Sequence, residues 1–291
     1  MAVLLTILLP VIYAFQSLFL KLFSMHYKPK TESSTTTVFC ITYGLFTGIV
    51  TLIIMGFRFN ASPTTWLFGC LNAVTLLIYN EAMLQCTRRG SFSFQMLVNL
   101  FGGILLPLFV GAVFQGERLS ALQLGGIALI LVSVVLINGG ELKPGGNKGF
   151  LLWCLVLFTV NGLYGVWMNA QQAAAANTER NEMIVLTFAG MALLSVILQL
   201  FRDPSILATP FRLQKKAAPC LVACCAVAAT AVHLLLYALS LIPASVLYAT
   251  NNGGILMISV LFSRLFFGEK LKIPQWIGMA LATVAIVLLS I

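Results

Sequence analysis

Two ionisable side chains sit deep in apolar runs: Glu81 within FGCLNAVTLLIYNEAMLQC and His233 within AVAATAVHLLLYALS. A charge near the centre of a membrane helix costs about 2.5 to 3.5 kcal/mol on insertion scales, so such a group is kept for a reason. A carboxylate offers a cation contact or a proton acceptor, and an imidazole offers a proton-responsive group. The chemical reading makes both of them proton-coupling residues at opposite ends of one polar cavity, Glu81 towards the cytoplasm and His233 towards the exterior. The plain alternative pairs Glu81 with Arg88 or Arg89 near the interface and lets His233 donate to a backbone carbonyl.

Amides and aromatic rings form a second set. Gln95 and Asn99 are four apart, as are Tyr248 and Asn252, so each pair shares one helix face. Asn251 adjoins Asn252 and the Gly253-Gly254 pair, and glycine there lets another backbone approach. Gln16 stands with Tyr13 and Ser17, and Asn161 with Tyr164, Trp167, Met168 and Asn169. An amide in hydrocarbon needs a partner, which a neighbouring helix or a bound solute can supply. Rings mixed with amides suit an amphipathic or cationic solute, because ring faces attract cations and amides fix orientation. Ordinary interior packing of the Trp and Tyr rings is the competing reading.

The elements that carry these residues follow from composition. The 291 residues are 60 % hydrophobic and 9 % charged, with a mean hydropathy of +1.00, well beyond a soluble domain. Apolar stretches long enough to cross about 30 Å of hydrocarbon recur at 2–23, 35–57, 65–87, 91–115, 119–138, 150–172, 182–201, 217–240, 244–267 and 273–291. The expectation is an all-α membrane protein of ten transmembrane helices. The first stretch lacks a basic leader and a small-residue cleavage site and is read as a retained helix. Of the 17 Lys and Arg residues, the even-numbered connections hold only Arg58, Arg118 and Arg180. The positive-inside rule therefore makes the odd connections cytoplasmic and both termini external. The net charge of +9 is spread by side of the membrane, which argues against nucleic acid as a partner. Seven cysteines show neither C-x-x-C nor Cys/His spacing and are expected to pack as small apolar residues.

The sequence also repeats itself at a separation of 152. QGERLSALQLGGIAL from position 115 matches FGEKLKIPQWIGMAL from 267 at Gly116, Glu117, Leu119, Gln123, Gly126, Ala128 and Leu129. The same offset pairs Ser93 with Ser245, Asn99 with Asn251, Gly102 with Gly254, Phe114 with Phe266, Glu81 with His233, and Gln85 with Tyr237. Residues 1–140 and 150–291 are thus read as two five-helix repeats joined by a loop at 141–149. An odd helix count makes the second repeat enter the membrane from the opposite side. Inverted repeats are a common architecture of secondary transporters, since two similar halves can expose a midplane site to either side in turn. Off the midplane, Glu81 and His233 should lie about 15 Å apart along the membrane normal at about 1.5 Å per residue, which argues against a direct ion pair. Glu117 and Glu269 are expected to complement the dipoles of the fifth and tenth helices. Gly44 with Gly48, and Gly278 with Ala282, offer faces for close helix contact.

The G-E-x-L-x-x-x-Q-x-x-G segments at 116–126 and 268–278, with ALSLIPASVLYA at 238–249, resemble the EamA-type transporters of the drug/metabolite transporter (DMT) superfamily. The resemblance covers the chain as two tandem units. It implies a metabolite exporter with cytoplasmic termini, where the Lys/Arg count gives external ones. It also implies a bacterial plasma membrane location and a small-molecule solute such as an amino acid, amine or drug-like cation. The site residues expected to touch that solute are Gln16, Glu81, Gln95, Asn99, Asn161, Tyr164, Trp167, His233, Tyr237, Tyr248, Asn251 and Asn252. No phosphate-cradling loop, zinc motif or nucleophile elbow is present, so the expectation is no enzyme, no cofactor and no metal. Membrane lipid is the other expected partner, with the chain a monomer or homodimer. A lipid head-group flippase or a non-transporting membrane partner protein is the alternative function.

Overall fold

The structure, a computed structural model, describes residues 2–27, 32–89, 92–114, 116, 119–137, 148–175, 178–202, 214–267 and 272–290. Among them are ten α-helices and no strand: α1 (Ala2–His26), α2 (Glu32–Ile54), α3 (Pro63–Arg89), α4 (Phe92–Phe114), α5 (Ala121–Ile137), α6 (Lys148–Ala174), α7 (Arg180–Arg202), α8 (Ala217–Leu239), α9 (Ala244–Phe267) and α10 (Ile273–Ser290). Every end lies within three residues of the stretch read from the sequence. Thr36–Ile54 of α2, Gly149–Ala174 of α6, α7 and α8 are long and apolar enough to cross a membrane. Shorter apolar segments occupy Leu4–Leu20, Val98–Phe114, Ala121–Leu136 and Ile273–Leu289.

Local chemistry sets several helix ends. At the end of α2, Gly56 takes the left-handed conformation (φ 61°) that glycine adopts at low cost. Its N–H donates to Ile53 O at 2.9 Å, and Phe57 N donates to Leu52 O at 2.9 Å, satisfying carbonyls the helix leaves open. At α5, Ser120 and Gln123 exchange bonds, Gln123 N donating to Ser120 Oγ at 3.2 Å and Ser120 N to Gln123 Oε1 at 3.0 Å. At α10, Lys272 N donates to Gln275 Oε1 at 2.9 Å. The glutamine shared by the two repeated segments is therefore a helix cap. Glu117 and Glu269, and residues 141–147 of the connecting loop, lie outside the described residues.

The chain forms two compact units, and each draws on both halves of the sequence. Unit one comprises Met1–Ala14, Ala82–Val166 and Tyr237–Ile291, and unit two comprises Phe15–Glu81 and Trp167–Leu236. Phe15 and Trp167, where unit two begins in each half, are 152 positions apart.

In unit two, α2 packs antiparallel on α7. A Cβ built on Gly44 would lie 2.8 Å from Ala192 Cβ, and one on Gly48 would lie 3.5 Å from Ala189 Cβ. Glycine is needed at Gly44, where that Cβ would also lie 2.4 Å from Phe188 O. The α3 helix runs parallel to α7 in fixed register: Ser62 with Glu179, Gly69 with Leu186, and Ala73 with Gly190 are each 117 positions apart. Unit one repeats the theme, with Gly126 near the start of α5 against Ala285 and Leu289 near the end of α10. Outward-facing apolar residues such as Ile49, Ile53, Val74 and Leu193 stay exposed, as lipid-facing residues would.

Candidate functional site

Two of the expected amides, Asn161 and Asn252, meet in unit one at Gly103. Asn161 Nδ2 on α6 donates to Asn99 O on α4 at 2.6 Å. Asn252 Nδ2 on α9 donates to Tyr248 O at 2.8 Å and reaches Gly103 O at 3.4 Å. A Cβ on Gly103 would stand 2.8 Å from Asn161 Nδ2 and 3.0 Å from Asn252 Nδ2, so the missing side chain is what lets both amides approach. Tyr248, 5 % exposed, donates its hydroxyl to Gly165 O at 3.2 Å and lies within electrostatic reach of Tyr13 and Tyr164. Asn251 is buried, and its Oδ1 has no hydrogen-bond partner.

Other expected residues of unit one are placed differently. Gln95 is buried and donates to Met83 O at 3.1 Å, joining α4 to α3. Tyr237 is exposed near the end of α8, where its carbonyl accepts from Ser240 Oγ at 2.6 Å. Arg89 lies over the Trp153 ring, 5.7 Å from its centroid. Cys86 Sγ donates to Cys154 Sγ at 3.8 Å, with both thiols free of a disulfide.

Unit two holds Gln16, Glu81, Trp167 and His233. Glu81 receives both arms of Arg202, with Nη2 at 3.1 Å from Oε1 and Nη1 at 3.2 Å from Oε2, a forked pair between α3 and the last residue of α7. His233 Nδ1 stands 2.7 Å from Ala229 O, and its Nε2 stands 3.3 Å from Thr51 Oγ1. A carbonyl cannot donate, so Nδ1 carries a proton. Trp167 lies against Phe68 at 6.0 Å between centroids. The side-chain oxygen of Gln16 is buried without a partner.

Two groups in unit two escaped the sequence reading. At the start of α3 and α7, Glu179 Oε2 accepts from Ser62 N at 3.0 Å and Ser62 Oγ at 2.8 Å. Gln171 Nε2 donates to Thr65 Oγ1 at 2.9 Å, and Gln172 donates to Gln171. Bonds from Thr65 and Ser62 favour the Glu179 carboxylate and hold its pKa below the usual value. Deeper in the unit, Thr47, Asn72 and Thr187 are fully buried, and their side-chain polar atoms have no partner. Threonine is close to neutral in hydropathy, so nothing in the pattern marked Thr47 or Thr187. Asn72 was visible as a lone amide in GCLNAVTLL. Among the described residues no group of three or more His, Cys, Asp or Glu is arranged to hold a metal.

Comparison with known proteins adds three findings. Residues 150–291 match the EamA-like transporter family. No curated protein sequence matches the chain. Among 29 matching chains of solved structures, one crystal structure superposes on 100 % of this chain and 98 % of its own with a TM-score of 0.71 at 16 % identity, which is a likeness of fold.

Proposed function

From the match of residues 150–291 to the EamA-like transporter family, we propose that the chain is a secondary transporter of that family and of the DMT superfamily, an exporter of a small polar or amphipathic metabolite. The solute is of the amino acid, amine or drug-like cation class, carried by alternating access across a bacterial plasma membrane. In this reading all ten helices cross the bilayer as two inverted five-helix repeats, 1–140 and 150–291. Antiparallel packing supports it: α2 lies against its repeat counterpart α7, and α5 against its counterpart α10. The matching start of unit two at Phe15 and Trp167 supports it as well.

The observation that carries the proposal is the meeting of the Asn161 and Asn252 amides at Gly103, with Asn161 reaching the Asn99 carbonyl and Asn252 the carbonyl of the buried Tyr248. Helix packing alone is served by apolar side chains, whereas amides on α6 and α9 and a phenol on α9 offer directed contacts to a solute. Glu81 and His233 supply the proton-coupling groups, and Gln16, Gln95, Tyr164, Trp167, Tyr237 and Asn251 complete the proposed set.

A thermal-shift screen of purified protein against amino acids, amines, sugars and nucleotides selects the solute, because a bound solute stabilises by mass action. Exchange of that solute by proteoliposomes containing the protein, lost in Asn161→Ala with folding intact, is the expected result. Protein-containing vesicles no more permeable than empty ones to every solute that shifts the melting temperature would overturn the reading.

A further inference from the structure

Threonine and asparagine in a membrane helix usually satisfy themselves by bonding back one turn. Thr51, Thr75, Thr159, Thr230, Thr250 and Thr283 each donate to the carbonyl four residues before. Asn80 and Asn252 do the same with their amides. Thr47, Asn72 and Thr187 do not, although all three are 0 % exposed. The Oγ1 atoms of both threonines and both polar atoms of the Asn72 amide have no hydrogen-bond partner. An unmade bond of this kind costs about 1 to 3 kcal/mol per group.

The three lie at one depth in unit two. The 117-residue register of α3 on α7 sets Asn72 level with Ala189, two residues from Thr187. Gly48 also packs on Ala189, which brings the adjacent Thr47 to the same level. At about 1.5 Å per residue the three fall within about 5 Å along the helix axes. They also point inward. Ile49 and Val74, each two residues on and so about 200° around the helix, are exposed, as is Leu193, about 240° round from Thr187.

We propose that Thr47, Asn72 and Thr187 form a binding site for an uncharged group that both donates and accepts hydrogen bonds, a carboxamide or hydroxyl of the transported solute. This rests on the carrier reading above and adds the chemistry of the head group. The amide of Asn72 offers two donors and an acceptor, and each hydroxyl offers both. None of the three is charged. Glu81, nine residues along α3 and about 13 Å away, is already held by Arg202. A carboxylate or ammonium would therefore lose its hydration here without a counter-ion.

Four fragments test the head group: acetamide, glycerol, acetate and methylammonium. Each is titrated against full-length wild type, Asn72→Leu, Thr47→Val and Thr187→Val, and the melting temperature is read. The difference between wild type and variant cancels the general effect of an additive. The variants without fragment should melt at or above the wild-type temperature, since each removes an unsatisfied polar group. Acetamide or glycerol should stabilise wild type and lose most of that effect in Asn72→Leu, with acetate and methylammonium acting alike on both. Equal fragment shifts in wild type and all variants, or variants that melt well below wild type without fragment, would overturn the site. Solute exchange in proteoliposomes separates the two claims. Exchange that survives in Asn72→Leu with unchanged head-group preference sinks the site and leaves the carrier. An Asn72-dependent acetamide shift in a protein that exchanges nothing sinks the carrier and leaves the site.

Discussion

His233 Nε2 stands 3.3 Å from Thr51 Oγ1, and that hydroxyl donates to Thr47 O at 2.7 Å. One threonine proton cannot serve two acceptors. With Nδ1–H bound to Ala229 O, a neutral ring leaves Nε2 as an acceptor, whereas a protonated ring donates at both ends. Protonation therefore completes a chain from His233 through Thr51 to Thr47. His233→Gln should slow solute exchange with folding intact, and Thr51→Val, which removes the hydroxyl His233 faces, should slow it less. Initial rates in proteoliposomes give the answer.

The Glu81–Arg202 pair predicts a modest coupling. Arg202 is 42 % exposed and Glu81 15 %, so solvent screens the pair and the forked geometry retains about 1 kcal/mol. A double-mutant cycle with Glu81→Gln and Arg202→Gln, read by denaturation at low and high salt, should return that coupling and show it shrink as salt rises.

Glu179 predicts the acid limb of stability. Its bonds to Ser62 and Thr65 favour the carboxylate and depress its pKa, so their contribution is complete above the unfolded value of about 4.3 and is lost as pH falls through the lower folded value. Melting temperatures of wild type should drop more steeply below about pH 4 than those of Glu179→Gln.

Adjacent glycines predict opposite outcomes. A Cβ at Gly102 would lie 2.2 Å from Phe158 O, a backbone atom, so Gly102→Ala should destabilise by about 1 to 3 kcal/mol. A Cβ at Gly103 meets only the ends of the Asn161 and Asn252 amides, which can turn aside. Gly103→Ala should fold nearly as well and lose solute-dependent thermal stabilisation.

The sequence carried the helices and the repeat because burial in hydrocarbon demands long apolar runs, and duplicated turns keep their caps, as Gln123 and Gln275 do. It marked Asn161 and Asn252 one by one but did not show that they meet at Gly103. Gln95 had the right residue type and spends its amide on Met83 O. Thr47 and Thr187 could not be found, because whether a threonine bonds back to its own helix depends on a rotamer chosen by neighbours far away in sequence. The partner of Glu81 was equally hidden, since Arg202 lies 121 positions on.

The contacts of α3 with α7 have a mechanical consequence. The two helices are joined at one end by Ser62 on Glu179, further along by Gly69 on Leu186 and Ala73 on Gly190, and towards the other end by Glu81 on Arg202. Helices joined at three heights resist sliding past one another. Residues 62–81 and 179–202 are therefore expected to shift together, as one piece.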